Sequence, residues 1–480
     1  MDNSSSKCTK SLFSNYSVNG NPGLLVSSQV RGLPLSPPAI GRQRLASGML
    51  VAARRPGWLI ALAAVFVVST YLGAIHISDF PLAENPENVV GVMLAVAFAL
   101  TRFWHARLWF GPARFFLVYF VVTAILTAGR YLIERTGGVE GISEVRAYAQ
   151  YAQAFLLYLI FFDLARDPRA LRWWAGTFVV TTILLSLVAN FGLAGAVGAA
   201  AVGRGAAERV GVLGLDLNYQ ALLYAAAITG LLCRAIARWP RFGWRDWLLA
   251  GGAVSMLLAL LQTGSRGGLV NLVAGVGAAL YLMFRGRRWG AYALLVPLVL
   301  YGVGSAIMSS ELIRVRIFEE TLEQGRLGAR DDLARESAVM LWERPWAGWG
   351  AKYVDELGAR TGKVVIAAHN TYLQVAVSFG MLGFIPWLLG LGATGWRLWR
   401  QRKDFWAATL LAIFGVLLAG MLTVHYGYGR FAWMFLAVAT AAPYPIVNPQ
   451  VRRRPVTARA TGVPAPTRGH PMGYVVTRQA

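Results

Sequence analysis

The sequence predicts an all-α, polytopic membrane protein with about 12 transmembrane helices and one long extracytoplasmic loop carrying a short helix. Three observations carry that prediction. Hydrophobic residues make up 56% of the chain and charged residues only 14%, against about 25% charged in soluble proteins. Apolar runs recur from Gly57 to Val447, long enough as helices to cross about 30 Å of hydrocarbon. Arginine-rich segments fall between alternate runs, as an ordered membrane topology requires. A transmembrane barrel is excluded, because its strands would alternate apolar and polar residues over about ten positions.

The elements follow in order. Residues 1–48 are rich in serine, glycine and proline and read as a disordered cytoplasmic tail. They lack the charged-then-apolar layout of a cleavable signal. Met49, just ahead of the basic and then apolar "VAARRPGWLIALAAVF", would suit the start of a membrane protein. The expected spans are about 57–75, 88–101, 115–129, 147–164, 173–191, 218–233, 247–262, 268–284, 289–308, 370–395, 405–424 and 431–447. With both termini cytoplasmic, "RFWHARLWFGPAR", "RDPRALR", "RAIARWPRFGWRD", "RGRR" and "RLWRQRKD" all lie inside, and the external loops are close to neutral. Residues 49–447 thus form a transmembrane domain, and 448–480 a disordered basic tail suited to anionic headgroups. Residues 309–369 are the one long external loop, and long ordered loops are where function concentrates. Within it "ARDDLARESAVMLWERP" predicts a helix. Aspartates occupy its first turn, Leu333, Val339, Met340 and Leu341 form an apolar side, and Pro345 stops it.

The chain carries 46 basic and 23 acidic residues, a net charge of +23. That charge is scattered through short loops and forms no basic face, which argues against a nucleic-acid partner. The two cysteines, Cys8 and Cys233, are far apart and define neither a disulfide framework nor a metal site. Walker, Rossmann and zinc patterns are absent, so no cofactor is expected.

The candidate chemistry gathers on the external side. His369 closes the long loop, precedes Asn370 and Tyr372, and opens a span in "AAHNTYLQVAVSFG". Histidine at a water boundary is commonly an amphipathic surface residue, but an imidazole here has the right pKa range for a general base. Arg266 interrupts two apolar runs in "LLQTGSRGGLVNLV". It is either a turn residue reaching for water or a ligand for an anion, since guanidinium forks match phosphate oxygens. Arg326, Arg330 and Arg335 surround the loop helix, where nearby aspartates also offer simple surface pairing. Arg209, Asp216 and Asn218 lead into a span in "ERVGVLGLDLNYQALLY", with helix capping as the ordinary role of the latter two. Separate arginines plus one histidine suit a polyanionic lipid headgroup and a proton transfer on it.

Four elements in this order resemble the O-antigen ligase / O-antigen polymerase superfamily of bacterial membrane glycosyltransferases. They are "RVGVLGLDLN", with Leu217 where proline is usual, and the "SRG" turn in "TGSRGG". The others are "GARDDLARESAVMLWERPWAGWGAKY", which aligns Arg330, Pro345, Gly348 and Gly350, and "HNTYLQVAVSFGMLGF", with Gly380 and Gly383. The likeness covers about residues 200–400 and none of the first five spans. It implies a metal-independent, inverting transfer of a glycan from undecaprenyl pyrophosphate in the inner membrane. By that resemblance Arg266 and Arg330 grip the pyrophosphate and His369 is the base, with Arg209, Asn218, Asn370 and Tyr372 in support. The long loop with histidine at its exit resembles the ligase arrangement, with a lipid A–core acceptor in lipopolysaccharide biosynthesis. The alternative is a polymerase whose acceptor is another lipid-linked glycan. A transporter of lipid-linked glycan would need charges facing a central path through several spans, and a membrane scaffold would leave the ordered motifs unexplained.

Overall fold

The computed structural model describes residues 55–72, 85–102, 111–136, 142–193, 212–213, 215–283, 301, 304–305, 330–362, 369–424 and 429–441. Chain contacts divide Met1–Ala52 from Ala53–Ala480, and every described residue belongs to the second unit. Both expected tails, Met49, Arg209, Arg326 and nearly all of the expected span 289–308 lie outside the described residues.

The described secondary structure is helical: α1 (Gly57–Ser69), α2 (Pro86–Thr101), α3 (Ala113–Thr136), α4 (Ile142–Leu164), α5 (Pro168–Asn190), α6 (Leu217–Arg238), α7 (Trp244–Gln262) and α8 (Arg266–Met283). There follow α9 (Arg330–Glu343), a 3₁₀ turn (Gly350–Lys352), α10 (Tyr353–Thr361), α11 (Thr371–Arg400), α12 (Phe405–Met421) and α13 (Arg430–Ala441). Six of them are long and apolar enough to cross a membrane: α3, α5, α6, α7, α8 and α11. Shorter apolar helices occupy five further expected spans.

Polar caps set where the helices begin. Asn85 accepts from the Asn88 N–H at 3.0 Å, with Pro86 opening α2. Asp167 accepts from Arg169 N at 2.9 Å, and Asp404 from Trp406 N at 2.9 Å. Each cap satisfies backbone donors that the first helical turn leaves without partners.

Small residues let the central helices approach. On α8, Gly268 faces Ala221 of α6, while Gly275 faces Thr229 of α6 and Val416 of α12. Between spans in lipid such contacts replace the hydrophobic driving force available in water. A second packing centre is aromatic. Trp433 of α13 is fully buried, stacks on Tyr119 at 5.8 Å, and meets Phe116, Phe120 and Tyr158 of α3 and α4. At one end of α4, buried Asp163 takes Arg55 at 2.8 Å and Arg102 at 3.2 Å, which ties down the start of α1 and the end of α2.

Candidate active site

The starts of three helices meet at one end of the bundle. At α6, the Asp216 carboxylate accepts from the backbone N–H groups of Asn218 and Tyr219, both at 2.9 Å. Because Asp216 is the cap, the Asn218 amide is available to accept from Ser265 Oγ at 2.8 Å. Ser265 Oγ in turn accepts from Gly268 N at 3.1 Å and so caps α8, whose first residue is Arg266. The Thr263–Gly264–Ser265 turn is fixed before it, with Gly264 left-handed at φ 58° and Thr263 Oγ1 accepting from Ser265 N at 3.2 Å. Arg266 therefore projects from a rigid corner and is half-buried.

That corner continues to His369. A Cβ at Gly267 would lie 2.6 Å from Thr423 Oγ1, so the α8 backbone rests directly against the end of α12. The next residue, Val424, offers its carbonyl to Thr371 Oγ1 at 2.7 Å, at the first residue of α11. Asn370 caps α11 by accepting from Leu373 N at 3.2 Å. His369 stands just before it, half-buried, at φ 49°. A non-glycine residue held left-handed costs of order 1–3 kcal/mol, and such strain gathers at functional sites. Asn218, Ser265, Arg266, Thr423, Thr371, Asn370 and His369 thus form one continuous patch.

Tyr372 and Asn370 serve the helix. The Tyr372 hydroxyl donates to Leu418 O at 3.1 Å and its ring meets Trp387 edge-on at 5.5 Å. These bonds anchor the start of α11 to α12, and through it they position His369. Arg330 is the first residue of α9, and Arg335 is exposed on that helix.

The segment after α9 reaches the site through a break in α11. Gly380 has φ 60° and ψ −166°, which interrupts the helix in mid-span. Pro345–Trp349 fills the gap: Trp349 N donates to Val377 O at 2.7 Å, Met381 N to Pro345 O at 2.7 Å and Leu382 N to Trp346 O at 3.2 Å. Non-helical backbone is tolerated at membrane depth when protein supplies its partners. Two glycines make the exchange possible. A Cβ on Gly348 would sit 2.6 Å from Gly380 N, and one on Gly380 would sit 2.7 Å from Ala347 N. Arg130 of α3 completes the joint, donating to Ser378 O at 3.2 Å and to Ala347 O. Arg130 and this joint were not anticipated from the sequence. Gly348 and Gly380 stood in the motifs, and the signal for Arg130 is an arginine inside the apolar run of α3.

α9 and α10 share a small core of Leu333, Met340, Tyr353 and Leu357 against Val377 of α11. Val339, expected on the apolar side of α9, is instead 42% exposed with Trp342 at 83%. Leu333, Ser337 and Met340 take the buried positions at steps of four and three, and Val339 falls between them. Trp349 is held by its indole N–H donating to Met340 O at 2.8 Å, and the guanidinium groups of Arg344 (3.9 Å) and Arg360 (5.2 Å) lie over its ring.

Residues 251–388 match the family model described as Wzy_C, O-antigen ligase. The family expected from the motifs is the family matched. The match takes in Arg266, the start of α9, the docked Pro345–Trp349 segment, His369 and the Gly380 break, and it leaves Asn218 outside. No curated protein matches the chain. Residues 251–388 are thus similar to an O-antigen ligase domain, in a chain whose described residues include six helices long and apolar enough to cross a membrane.

Proposed function

We propose that the protein transfers a glycan from an undecaprenyl pyrophosphate carrier to an acceptor hydroxyl at the outer face of the bacterial inner membrane. The acceptor is the lipid A–core, which makes the enzyme an O-antigen ligase. What supports this reading is that strained His369 and Arg266 stand at the starts of two helices joined through the contact of Gly267 with Thr423 and the bond from Thr371 to Val424. His369 takes the proton of the acceptor hydroxyl while that oxygen attacks the anomeric carbon. The bond from that carbon to the pyrophosphate oxygen breaks, and its electron pair leaves with the pyrophosphate. Direct displacement inverts the anomeric configuration. Arg266 and Arg330 stabilise the charge that builds on the leaving group, as fixed cations do in a site with little water. Arg209, outside the described residues, is a further candidate for that grip.

The test is His369→Ala, with His369→Asn as a companion because asparagine tolerates left-handed backbone. Both variants should reach the membrane at normal levels, while transfer falls by about 10²- to 10⁴-fold, the usual range for losing a general base. Near-normal transfer at matched protein level would reduce His369 to a boundary residue. Running the assay with lipid A–core and with a lipid-linked glycan as acceptor separates ligation from polymerisation.

A further inference from the structure

A cavity of about 360 Å³ lies among α6, α7 and α8. Leu231 and Leu232 of α6, Ala253 and Leu257 of α7, and Leu272 and Val276 of α8 line it. α6 starts beside the Asn218–Ser265 bond and ends at Arg238, so the cavity sits along the half of α6 away from the Arg266 corner. The packing of α7 explains the space. A Cβ on Gly252 would lie 2.5 Å from Ile183 Cδ1, Ser255 Oγ meets Ser186 Oγ at 2.8 Å, and Asn190 Nδ2 donates to Ser255 O at 2.9 Å. These contacts hold α7 against α5. A different stripe of α7, with Asp246, Ala250, Ala253 and Leu257 at steps of four, three and four, lines the cavity, and its two alanines are too short to fill it. Val254, also in the lining, is 58% exposed on a helix long enough to span the membrane, so the cavity has a lipid-facing side.

The mouth of the cavity is cationic. Asp246 binds Arg234 at 3.0 Å and Arg238 at 3.5 Å, so this carboxylate is already shared between two arginines. Arg241, in the turn before α7, and Arg245, in its first turn, are exposed and have no acidic partner among the described residues. The guanidinium of Arg245 lies over the Trp244 ring at 5.2 Å. Trp244 and Trp247 are 68% and 66% exposed, and tryptophans at the end of a span mark the headgroup level. Four guanidinium groups thus meet one carboxylate at the depth where lipid phosphates lie. In a bilayer an apolar cavity with an exposed side takes hydrocarbon, and the mouth decides which lipid supplies it. A zwitterionic headgroup brings its own cation and leaves the balance unchanged. A headgroup of net negative charge offsets it. The depth suits one acyl chain: Asp246 to Leu257 spans about 16 Å at 1.5 Å per residue, half of the roughly 30 Å of hydrocarbon.

We propose that this cavity seats an anionic diacyl phospholipid, with one acyl chain between α6 and α7 and its phosphate at Arg241 and Arg245. The seat is at the opposite end of α6 from the Arg266 corner, so it holds whether or not the protein is a transferase. For the test, the full chain is delipidated in detergent, mixed with phosphatidylglycerol carrying a diazirine at the end of one acyl chain, and irradiated. The expected adducts map to peptides around Leu232, Leu257 and Leu272. Unlabelled phosphatidylglycerol should compete about tenfold better than phosphatidylcholine, the scale of two arginines near a lipid phosphate. Combining Arg241→Gln with Arg245→Gln should erase that preference, and combining Arg241→Lys with Arg245→Lys should keep it. Ala253→Phe fills the cavity and should lose the adducts with all four arginines in place. Adducts confined to other helices, equal competition by phosphatidylcholine, or better competition by undecaprenyl phosphate would each overturn the proposal. So would a preference that survives both glutamines, adducts that persist in Ala253→Phe, or cross-links from α7 to a second copy of the chain. If Ala253→Phe does not fold, the arginine variants, at exposed positions, decide the question with the adduct map.

Discussion

At one end of the bundle, buried Asp163 takes Arg55 and Arg102 at 2.8 and 3.2 Å; toward the other, Arg130 donates to the carbonyls of Ser378 and Ala347, and Arg344 lies over an indole. The residue type is the same, but the partners differ. A carboxylate cancels the charge it binds, and burial pulls the Arg55 guanidinium below its ordinary value while Asp163 pulls it back up. Carbonyl oxygens and an aromatic face hold a guanidinium by hydrogen bonds and a cation–π contact. The first arrangement holds helices together. The second pins the Pro345–Trp349 segment against α11.

The largest effect should come from breaking the first arrangement. Asp163→Ala leaves two arginines without their buried carboxylate, and removing one partner of a buried pair costs about 3–5 kcal/mol. Thermal unfolding in detergent should show a large loss of Tm and a low yield of folded protein. Arg344→Ala, at an exposed position, should stay within about 0.5 kcal/mol of the parent. Equal losses in both variants would erase the contrast between the two ends.

Next in size is the joint that carries the cationic end. Gly348 and Gly380 have φ values of 69° and 60°, and each presses backbone against backbone. Alanine at either position adds strain and forces the Pro345–Trp349 segment off α11, at about 1–3 kcal/mol or more. The variants should unfold at lower temperature and expose the segment to protease. Gly362→Ala is the control, because its φ is 64° but nothing lies within 4 Å of its Cβ position. If Gly362→Ala destabilises as much as Gly348→Ala, backbone strain alone accounts for the loss and the close docking adds nothing.

The contrast also separates what the sequence revealed from what it hid. Local signals were readable: the SRG turn before α8, Pro345 after α9, and the His–Asn start of α11 each act within a few residues. The roles of Asp216 and Asn218 were readable only as alternatives, and the structure divides them, with one capping α6 and the other binding Ser265. The joint was not legible. Arg130 bonds to residues 217 and 248 positions away, and the Gly380 break pairs with a segment more than thirty residues earlier. In helical periodicity α11 reads as one uninterrupted span, and only the docked backbone makes a break affordable in lipid.

A smaller effect on stability, though not on transfer, belongs to Arg266→Lys and Arg330→Lys. Lysine keeps the charge but loses the planar fork that matches pyrophosphate oxygens. Each variant should hold its Tm and lose about 10- to 100-fold in transfer, as expected for one charge-assisted contact. Near-normal transfer in both would mean that the site attracts the donor by charge alone.

The smallest effect lies at the Glu343–Arg360 pair, which joins α9 to α10 through two contacts of 2.7 Å. Arg360 holds the Glu343 carboxyl below its usual range, and Glu343 in turn raises Arg360. For a carboxylate with a depressed folded pKa, the unfolded state binds the proton first as pH falls. Its contribution is therefore complete above the unfolded value of about 4.3 and is lost as pH drops through the lower folded value. The raised Arg360 acts in the other direction, with a contribution kept at every pH below its unfolded value and lost only in strong alkali. Acid alone should loosen this joint. Hydrogen exchange of α10 amides should rise a few-fold between neutral pH and about pH 3, after correction for the intrinsic rate, while α8 amides stay protected. Glu343→Gln should show the faster α10 exchange already at neutral pH and little further change in acid. If the parent and Glu343→Gln respond alike to acid, the pair contributes nothing, and α10 is held by Leu357, Tyr353 and the Trp349 stack without it.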